Sequence, residues 1–155
     1  VLFALPAGYI GSRLGRRKTI LTGLVIMSLC MLSMQFLPAE TLLTTLTKLP
    51  VLGVVPVLGL VLMVAGAGWA CININSLPMV VDMTTLERTG TFTGLYYLFS
   101  TLAAIAGPNI NGLIIQATGS NYNMITVVAP VFFILAMVFM FGVRRGEAQV
   151  APVTQ

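Results

Sequence analysis

The stretch Gly-Tyr-Ile-Gly-Ser-Arg-Leu-Gly-Arg-Arg-Lys occupies residues 8–18 and holds four of the chain's eight lysines and arginines. Uncharged apolar sequence runs into it from Val1 and continues after it from Thr19 to Pro38. Each cation would cost about 2.5–3.5 kcal/mol at the centre of a bilayer. The stretch therefore predicts a short loop between two membrane-spanning helices on the cytoplasmic side, where such loops concentrate Lys and Arg. The simplest interpretation is a loop that only sets membrane orientation.

The composition predicts an integral membrane protein. Of 155 residues, 57% are hydrophobic and 8% are charged, whereas soluble domains average about 45–50% apolar and 25% charged residues. No aromatic residue lies among the cations of residues 13–18, so we expect membrane lipids and not nucleic acid as partners. The chain has two cysteines and no histidine, and neither cysteine belongs to a ligand cluster. We therefore predict no metal site and no cofactor.

Uncharged segments predict one partial and four full membrane spans in an all-α, polytopic helix bundle. A helix needs about 20 residues to cross about 30 Å of hydrocarbon. The remaining segments are predicted to be loops at residues 39–50 and 82–90, a turn at 117–123, and a disordered cytoplasmic tail at 146–155. The predicted spans lie at residues 1–11 (partial), 19–38, 53–77, 93–116 and 124–143.

The distribution of cations predicts the orientation. The first, third and fifth connections carry seven of the eight lysines and arginines, and these connections fall on one side of the predicted bundle. Loops rich in Lys and Arg stay in the cytoplasm. We therefore expect a multi-pass protein of the plasma (inner) membrane with a cytoplasmic C-terminus.

The basic stretch resembles a loop motif of the major facilitator superfamily. Gly8, Arg13, Gly15, Arg16 and Arg17 fall in register with that motif, whereas Ser12 stands where the motif has Asp. The resemblance implies a twelve-helix transporter built from two six-helix halves. The missing carboxylate favours the weaker copy of the motif, which joins the eighth and ninth helices. On that basis residues 1–145 belong to the C-terminal half, and the missing N-terminal half is a partner. Placement at helices two to six of the N-terminal half is the alternative.

Polar side chains within the spans are the candidate ligand groups, because each needs a partner where water is absent. One interpretation is hydrogen bonding between helices. The other is a substrate path, since amides and phenols exchange hydrogen bonds with hydroxyl groups and aromatic faces stack on sugar rings. The substrate-path candidates are Tyr97, Asn111, Asn73, Tyr96 and Asn109.

Gly107 and Pro108 lie in the middle of the span predicted at residues 93–116. Pro removes one backbone hydrogen bond and favours a kink. Broken helices recur at ligand sites of transporters, although a kink that serves only packing is equally consistent with the sequence.

Asp82, Glu87 and Arg88 cluster in the second charged loop. A solvated loop is the simpler interpretation. The alternative is a gate on the cytoplasmic side, in which Asp82 pairs with Arg16 or Arg17 while the inner mouth is shut.

Residues 75–82, residues 87–97 and Gly107-Pro108 resemble the sucrose-transporter-like and glycoside–cation symporter branch of the superfamily. This resemblance implies a secondary transporter of a sugar or glycoside by alternating access, with proton or sodium coupling. No acid lies within a predicted span, so a coupling carboxylate is expected in the missing half. The alternatives are efflux of drugs or metabolites and a non-transporting scaffold or receptor-like subunit. No nucleophile–base pair is evident, so we predict no enzyme activity.

Overall fold

A computed structural model describes residues 3–49 and 53–143 of the chain. Helices dominate these residues, and the only sheet among them is a two-stranded antiparallel hairpin. A 3₁₀ helix at Leu86–Arg88 leads directly into the fifth α-helix. In chain order the other elements are α1 (Ala4–Leu14), α2 (Arg16–Phe36), α3 (Ala39–Leu43), β1 (Thr45–Leu49), β2 (Gly53–Pro56), α4 (Val57–Asp82), α5 (Thr89–Ala117) and α6 (Met124–Gly142).

Four of these helices are long and apolar enough to cross a membrane: α2, α4, α6, and α5 together with the preceding 3₁₀ helix. The shortest, α6, has 19 residues and is therefore about 28 Å long, close to the hydrocarbon thickness. With α1 as a shorter helix before them, the predicted all-α bundle of one partial and four full spans is confirmed.

The helix ends differ from the predicted spans mainly at α4. This helix begins at Val57 and not at position 53, and it continues past Pro78 to Asp82. Proline is tolerated inside a membrane helix where neighbouring helices pack around it, and Met79 is buried in the helix-packed core. The other spans change less: α1 ends at Leu14, α2 is Arg16–Phe36, α5 is Thr89–Ala117 and α6 ends at Gly142.

The segment predicted as a loop at residues 39–50 contains regular structure. It forms α3 and β1, and β1 pairs with β2 in an antiparallel register that sets Thr47 opposite Val55. Thr and Val favour extended backbone because their branched side chains fit a pleated surface. The sequence prediction treated residues 53–56 as the start of a span, and it was wrong there.

The connection between α1 and α2 is a single residue, Gly15. Its φ of 97° lies in the region that side chains with a Cβ rarely adopt. The sequence predicted a loop at residues 8–18, and the structure corrects this: apart from Gly15 the stretch is helical, because it ends α1 and immediately begins α2.

Helix α2 packs against α4 on one side and α6 on the other. Ile20, Leu24 and Met79 form a buried hydrophobic cluster. The α2–α4 crossing is close at Gly23, where an added Cβ would lie 2.6 Å from the backbone oxygen of Gly68. Small residues at such crossings let the backbones approach, which is how helices associate in lipid.

Helix α5 is the least packed of the spans. None of its residues, all of which the structure describes, is buried. The chain turns from α5 to α6 through residues 118–123. The predicted disordered tail at residues 146–155 lies outside the described residues.

Candidate functional site

An ion pair connects the start of α2 with the end of α4. Arg16 Nε donates a hydrogen bond of 2.6 Å to Asp82 Oδ2. The two side chains are 26% and 22% exposed, so the pair is partly shielded from water. Of the two arginines considered in the sequence as partners of Asp82, Arg16 is the one that binds it.

Arg17 binds the C-terminal end of α6 instead. Its Nε donates to the backbone oxygen of Met140 at 3.2 Å, and its Nη2 donates to that of Phe141 at 3.0 Å. Carbonyls in the last turn of a helix carry partial negative charge, so a guanidinium is a favourable donor to them. The Met140 oxygen also accepts a hydrogen bond from the backbone N–H of Val143 at 3.2 Å. Sequence reasoning missed this contact, because nothing local to Arg17 indicates a helix end more than a hundred residues later.

The other residues of the basic stretch and of the second charged loop have separate positions. Arg13 places its guanidinium carbon 5.1 Å from the centroid of the Tyr9 ring, a cation–π contact. Gly8 faces α4, where an added Cβ would meet Ile74 at an ordinary contact distance of 3.4 Å. Arg88 lies in the 3₁₀ helix and is exposed.

Together, the contacts of Arg16 and Arg17 join three helix ends on one side of the bundle. We name this side, which holds the α1–α2 turn and the C-terminal ends of α4 and α6, the basic side.

A cavity of about 540 Å³ lies between α4 and α5. One hydrogen bond crosses it, between Ser76 Oγ and the hydroxyl of Tyr96 at 2.9 Å, with either atom able to donate. The amide of Asn73 also lines the cavity. Its other lining residues are mostly aromatic or aliphatic: Trp69, Ile72, Val80, Phe92, Leu95, Phe99 and Ser100. The cavity therefore combines apolar walls with a small number of hydrogen-bonding groups.

The structure brings two of the five substrate-path candidates, Asn73 and Tyr96, into this cavity and leaves the other three outside its lining. Tyr97 packs edge-on against the Tyr96 ring, with centroids 5.4 Å apart, and is 56% exposed. Asn109 donates to the backbone oxygen of Ile105 in its own helix at 2.6 Å. Asn111 is half-buried on α5.

Helix α5 runs without a break through the predicted kink at Gly107 and Pro108. The proline therefore interrupts the hydrogen-bond ladder without ending the helix.

Asn75 is the one fully buried large polar side chain in the described part of the chain. Its Nδ2 donates to the backbone oxygens of Ala7, at 3.1 Å, and Cys71, at 2.9 Å. Its Oδ1 faces Gly11, where a side chain would collide with it, and accepts no hydrogen bond from the described residues. Asn73 and Asn75 are two residues apart on α4 and therefore lie on different faces of the helix, and only the packing of α1 against α4 shows that Asn75 is the buried one.

Four long apolar helices, with the ion pair of the described residues at the helix ends, define a multi-pass integral membrane protein. A family model described as Major Facilitator Superfamily matches residues 1–154. The chain therefore belongs to this superfamily, whose members are transporters. No solved structure matches the chain.

Proposed function

We propose that the protein is a secondary active transporter that carries a small solute past the α4–α5 cavity by alternating access. The observation that carries this proposal is the cavity itself, which brings one amide and one hydroxyl pair together within aromatic walls. Its volume of about 540 Å³ is within the range of about 300–1,000 Å³ that is typical of small-molecule sites.

A sugar or glycoside is the solute that this chemistry fits best. Asn73, Ser76 and Tyr96 offer donors and acceptors to hydroxyl groups, while the rings of Trp69 and Phe92 offer faces for the apolar side of a pyranose. The resemblance of residues 75–82 and 87–97 to the glycoside–cation symporter branch agrees with this choice. The coupling ion, a proton or sodium, would bind elsewhere in the protein.

The contacts of Arg16 and Arg17 would form part of a gate on the basic side. They hold the ends of α2, α4 and α6 together. In the proposed cycle they separate when this side opens, as the two halves of the transporter rock about the central site. Within this proposal the chain supplies part of the C-terminal half, a placement that Ser12 in the basic stretch supports.

The test is uptake of radiolabelled glycosides by the full-length protein in proteoliposomes, with a proton gradient, a sodium gradient or neither. Tyr96→Phe removes the hydroxyl that bonds Ser76, and Asn73→Ala removes the amide. Loss of one hydrogen bond of about 0.5–1.5 kcal/mol lowers uptake about 2- to 10-fold. Tyr97→Phe is the matched control, because it makes the same chemical change next to Tyr96 but outside the cavity lining.

Equal effects of Tyr96→Phe and Tyr97→Phe would remove the cavity from the proposed path. Folded protein that transports no solute under any gradient would favour the scaffold alternative.

Efflux of an apolar drug or metabolite is the second candidate, because most of the cavity wall is aromatic or aliphatic. In that case Phe99→Ala would reduce transport of an apolar dye strongly, whereas Tyr96→Phe and Asn73→Ala would have little effect. The same proteoliposomes, loaded with the dye, distinguish the two candidates.

A further inference from the structure

A second cavity, of about 370 Å³, lies on the basic side where α1 ends, α2 begins and α4 ends. Its charged lining consists of three cations and one carboxylate: Arg13, Arg16, Lys18 and Asp82. The remaining lining residues belong to the end of α1 and the turn into α2: Gly11, Ser12, Leu14 and Gly15. We name this space the basic cavity. It is separate from the cavity between α4 and α5, with which it shares no lining residue.

The side chains that line the basic cavity carry a net positive charge, because only one of the three cations is paired with a carboxylate. Arg16 is paired with Asp82, so Arg13 and Lys18 supply charge that this carboxylate does not neutralise. Both side chains are exposed. The contact of Arg13 with the Tyr9 ring is a cation–π contact and not a hydrogen bond, so it does not consume the guanidinium N–H donors.

The position of these cations matches the level of lipid headgroups. Arg13 lies in the last turn of α1 and Lys18 in the first turn of α2, immediately before the uncharged part of the α2 span. Leu14, which lines the same cavity, is 65% exposed. A phosphate group held by the two cations would therefore sit beside an apolar side chain along which an acyl chain can lie. A free phosphate ion has no apolar part that could contact Leu14.

We propose that the basic cavity binds the headgroup of an anionic phospholipid, with Arg13 and Lys18 donating hydrogen bonds to its phosphate oxygens. Guanidinium and ammonium groups are the usual partners of phosphate, and Lys/Arg clusters next to a membrane helix attract anionic lipids. The proposal does not depend on which solute the protein carries.

The test measures lipid binding to the purified full-length protein by native mass spectrometry, with phosphatidylglycerol and phosphatidylcholine as probes. We expect phosphatidylglycerol to bind more tightly. Arg13→Gln and Lys18→Gln should each lower its affinity about fivefold, the equivalent of about 1 kcal/mol per cation near an anionic lipid, and Arg13→Lys should retain most of it. Arg88→Gln is the matched control, because Arg88 is an exposed cation that does not line the cavity.

Three results would overturn the proposal. Equal affinity for the two lipids would show that charge does not select the ligand. An equal loss in Arg88→Gln would show that general surface charge, and not this cavity, attracts the lipid. Inorganic phosphate that binds as tightly as phosphatidylglycerol and displaces it completely would identify a site for the free ion. Arg13→Gln and Lys18→Gln are measured as separate variants, so if one does not fold, the lipid affinity of the other still tests the proposal.

Discussion

Asp82, the last residue of α4, accepts a hydrogen bond of 2.6 Å from Arg16, the first residue of α2. The two residues are far apart in the sequence and meet only because α2 and α4 pack along their lengths with their charged ends on the same side. A helix N-terminus favours a nearby anion and a helix C-terminus favours a nearby cation. Arg16 at the N-terminus of α2 and Asp82 at the C-terminus of α4 are therefore each unfavourable for their own helix. Because the two ends meet, Asp82 supplies the anion that α2 favours and Arg16 supplies the cation that α4 favours.

The first prediction concerns the strength of this ion pair. Arg16→Gln and Asp82→Asn should each destabilise the protein, and the double variant should lose less than the two single losses combined. We expect a coupling of about 1 kcal/mol, at the upper end for surface pairs because both side chains are partly shielded from water. Equilibrium unfolding in mixed detergent measures it. Arg88→Gln combined with Asp82→Asn should be additive, and equal coupling in that control would contradict a specific pair.

The second prediction concerns the cap of α6 by Arg17. Arg17→Gln should speed amide hydrogen exchange in the last turn of α6 about fivefold, because the carbonyls of Met140 and Phe141 lose a charged donor worth about 1 kcal/mol. Arg17→Lys should restore part of the protection through a single ammonium contact. Lys18→Gln, at the next position, should leave α6 unchanged. If all three variants exchange alike, the cap does not stabilise α6 in solution.

The third prediction concerns the crossing of α2 and α4. Gly23→Ala should destabilise the protein by about 1–3 kcal/mol, since its methyl group would overlap the backbone of Gly68 and force the helices apart. Gly66→Ala is the matched control on α4, because no atom lies within 4 Å of the Cβ it would add. That change should be neutral or stabilise by up to about 1 kcal/mol. The midpoint of thermal unfolding in detergent reports both effects, and a tolerated Gly23→Ala would exclude the close crossing.

The fourth prediction concerns the contact between α1 and α4. Gly11→Ala should lower the thermal midpoint, because the new methyl group collides with the buried amide of Asn75. Gly8→Ala, which meets only Ile74 at 3.4 Å, should have little effect. In the double variant of Gly11→Ala and Asn75→Ala, the smaller side chain makes room for the methyl group. The double variant should therefore be more stable than the sum of its single changes predicts; strict additivity would be evidence against the contact.

The fifth prediction concerns orientation in the membrane. In a background of Cys30→Ala and Cys71→Ala, Ser12→Cys lies at the basic side, and Ser120→Cys lies in the turn between α5 and α6. We expect an impermeant maleimide added to intact cells to label position 120 and to label position 12 only after permeabilisation, because basic loops stay in the cytoplasm. The reverse pattern would invert the orientation, and labelling at both positions in intact cells would contradict the arrangement of spans.

Part of the site could be predicted from the sequence. The sequence offered a pair of Asp82 with Arg16 or Arg17 as the alternative to a solvated loop, and the structure shows such a pair. The choice of Arg16 was not predictable. It depends on the rotation of α2 about its axis after the tight turn at Gly15, which follows from the packing of α2 against α4 and α6.

For the substrate-path candidates too, the sequence did not show which side of the helix faces a neighbouring helix. Tyr96 and Tyr97 are adjacent, and successive residues of a helix point about 100° apart. The sequence offered both tyrosines as substrate-path candidates. The structure places Tyr96 against Ser76 across the cavity and leaves Tyr97 outside the cavity lining. Spacing defines which residues share a face, but only contact with a second helix decides which face is turned inward.

The sequence alone determined the helical class, the number of spans and the segregation of charge, because the free energy of placing a segment in hydrocarbon depends on local composition. It did not determine the hairpin of β1 and β2, the cap of α6 by Arg17 or the burial of Asn75. Arg17 and Asn75 bind backbone atoms of distant segments, and only the packing of the helices against one another brings those atoms within hydrogen-bonding distance. The hairpin instead depends on the pairing of two neighbouring strands, which the apolar composition of residues 53–56 did not reveal.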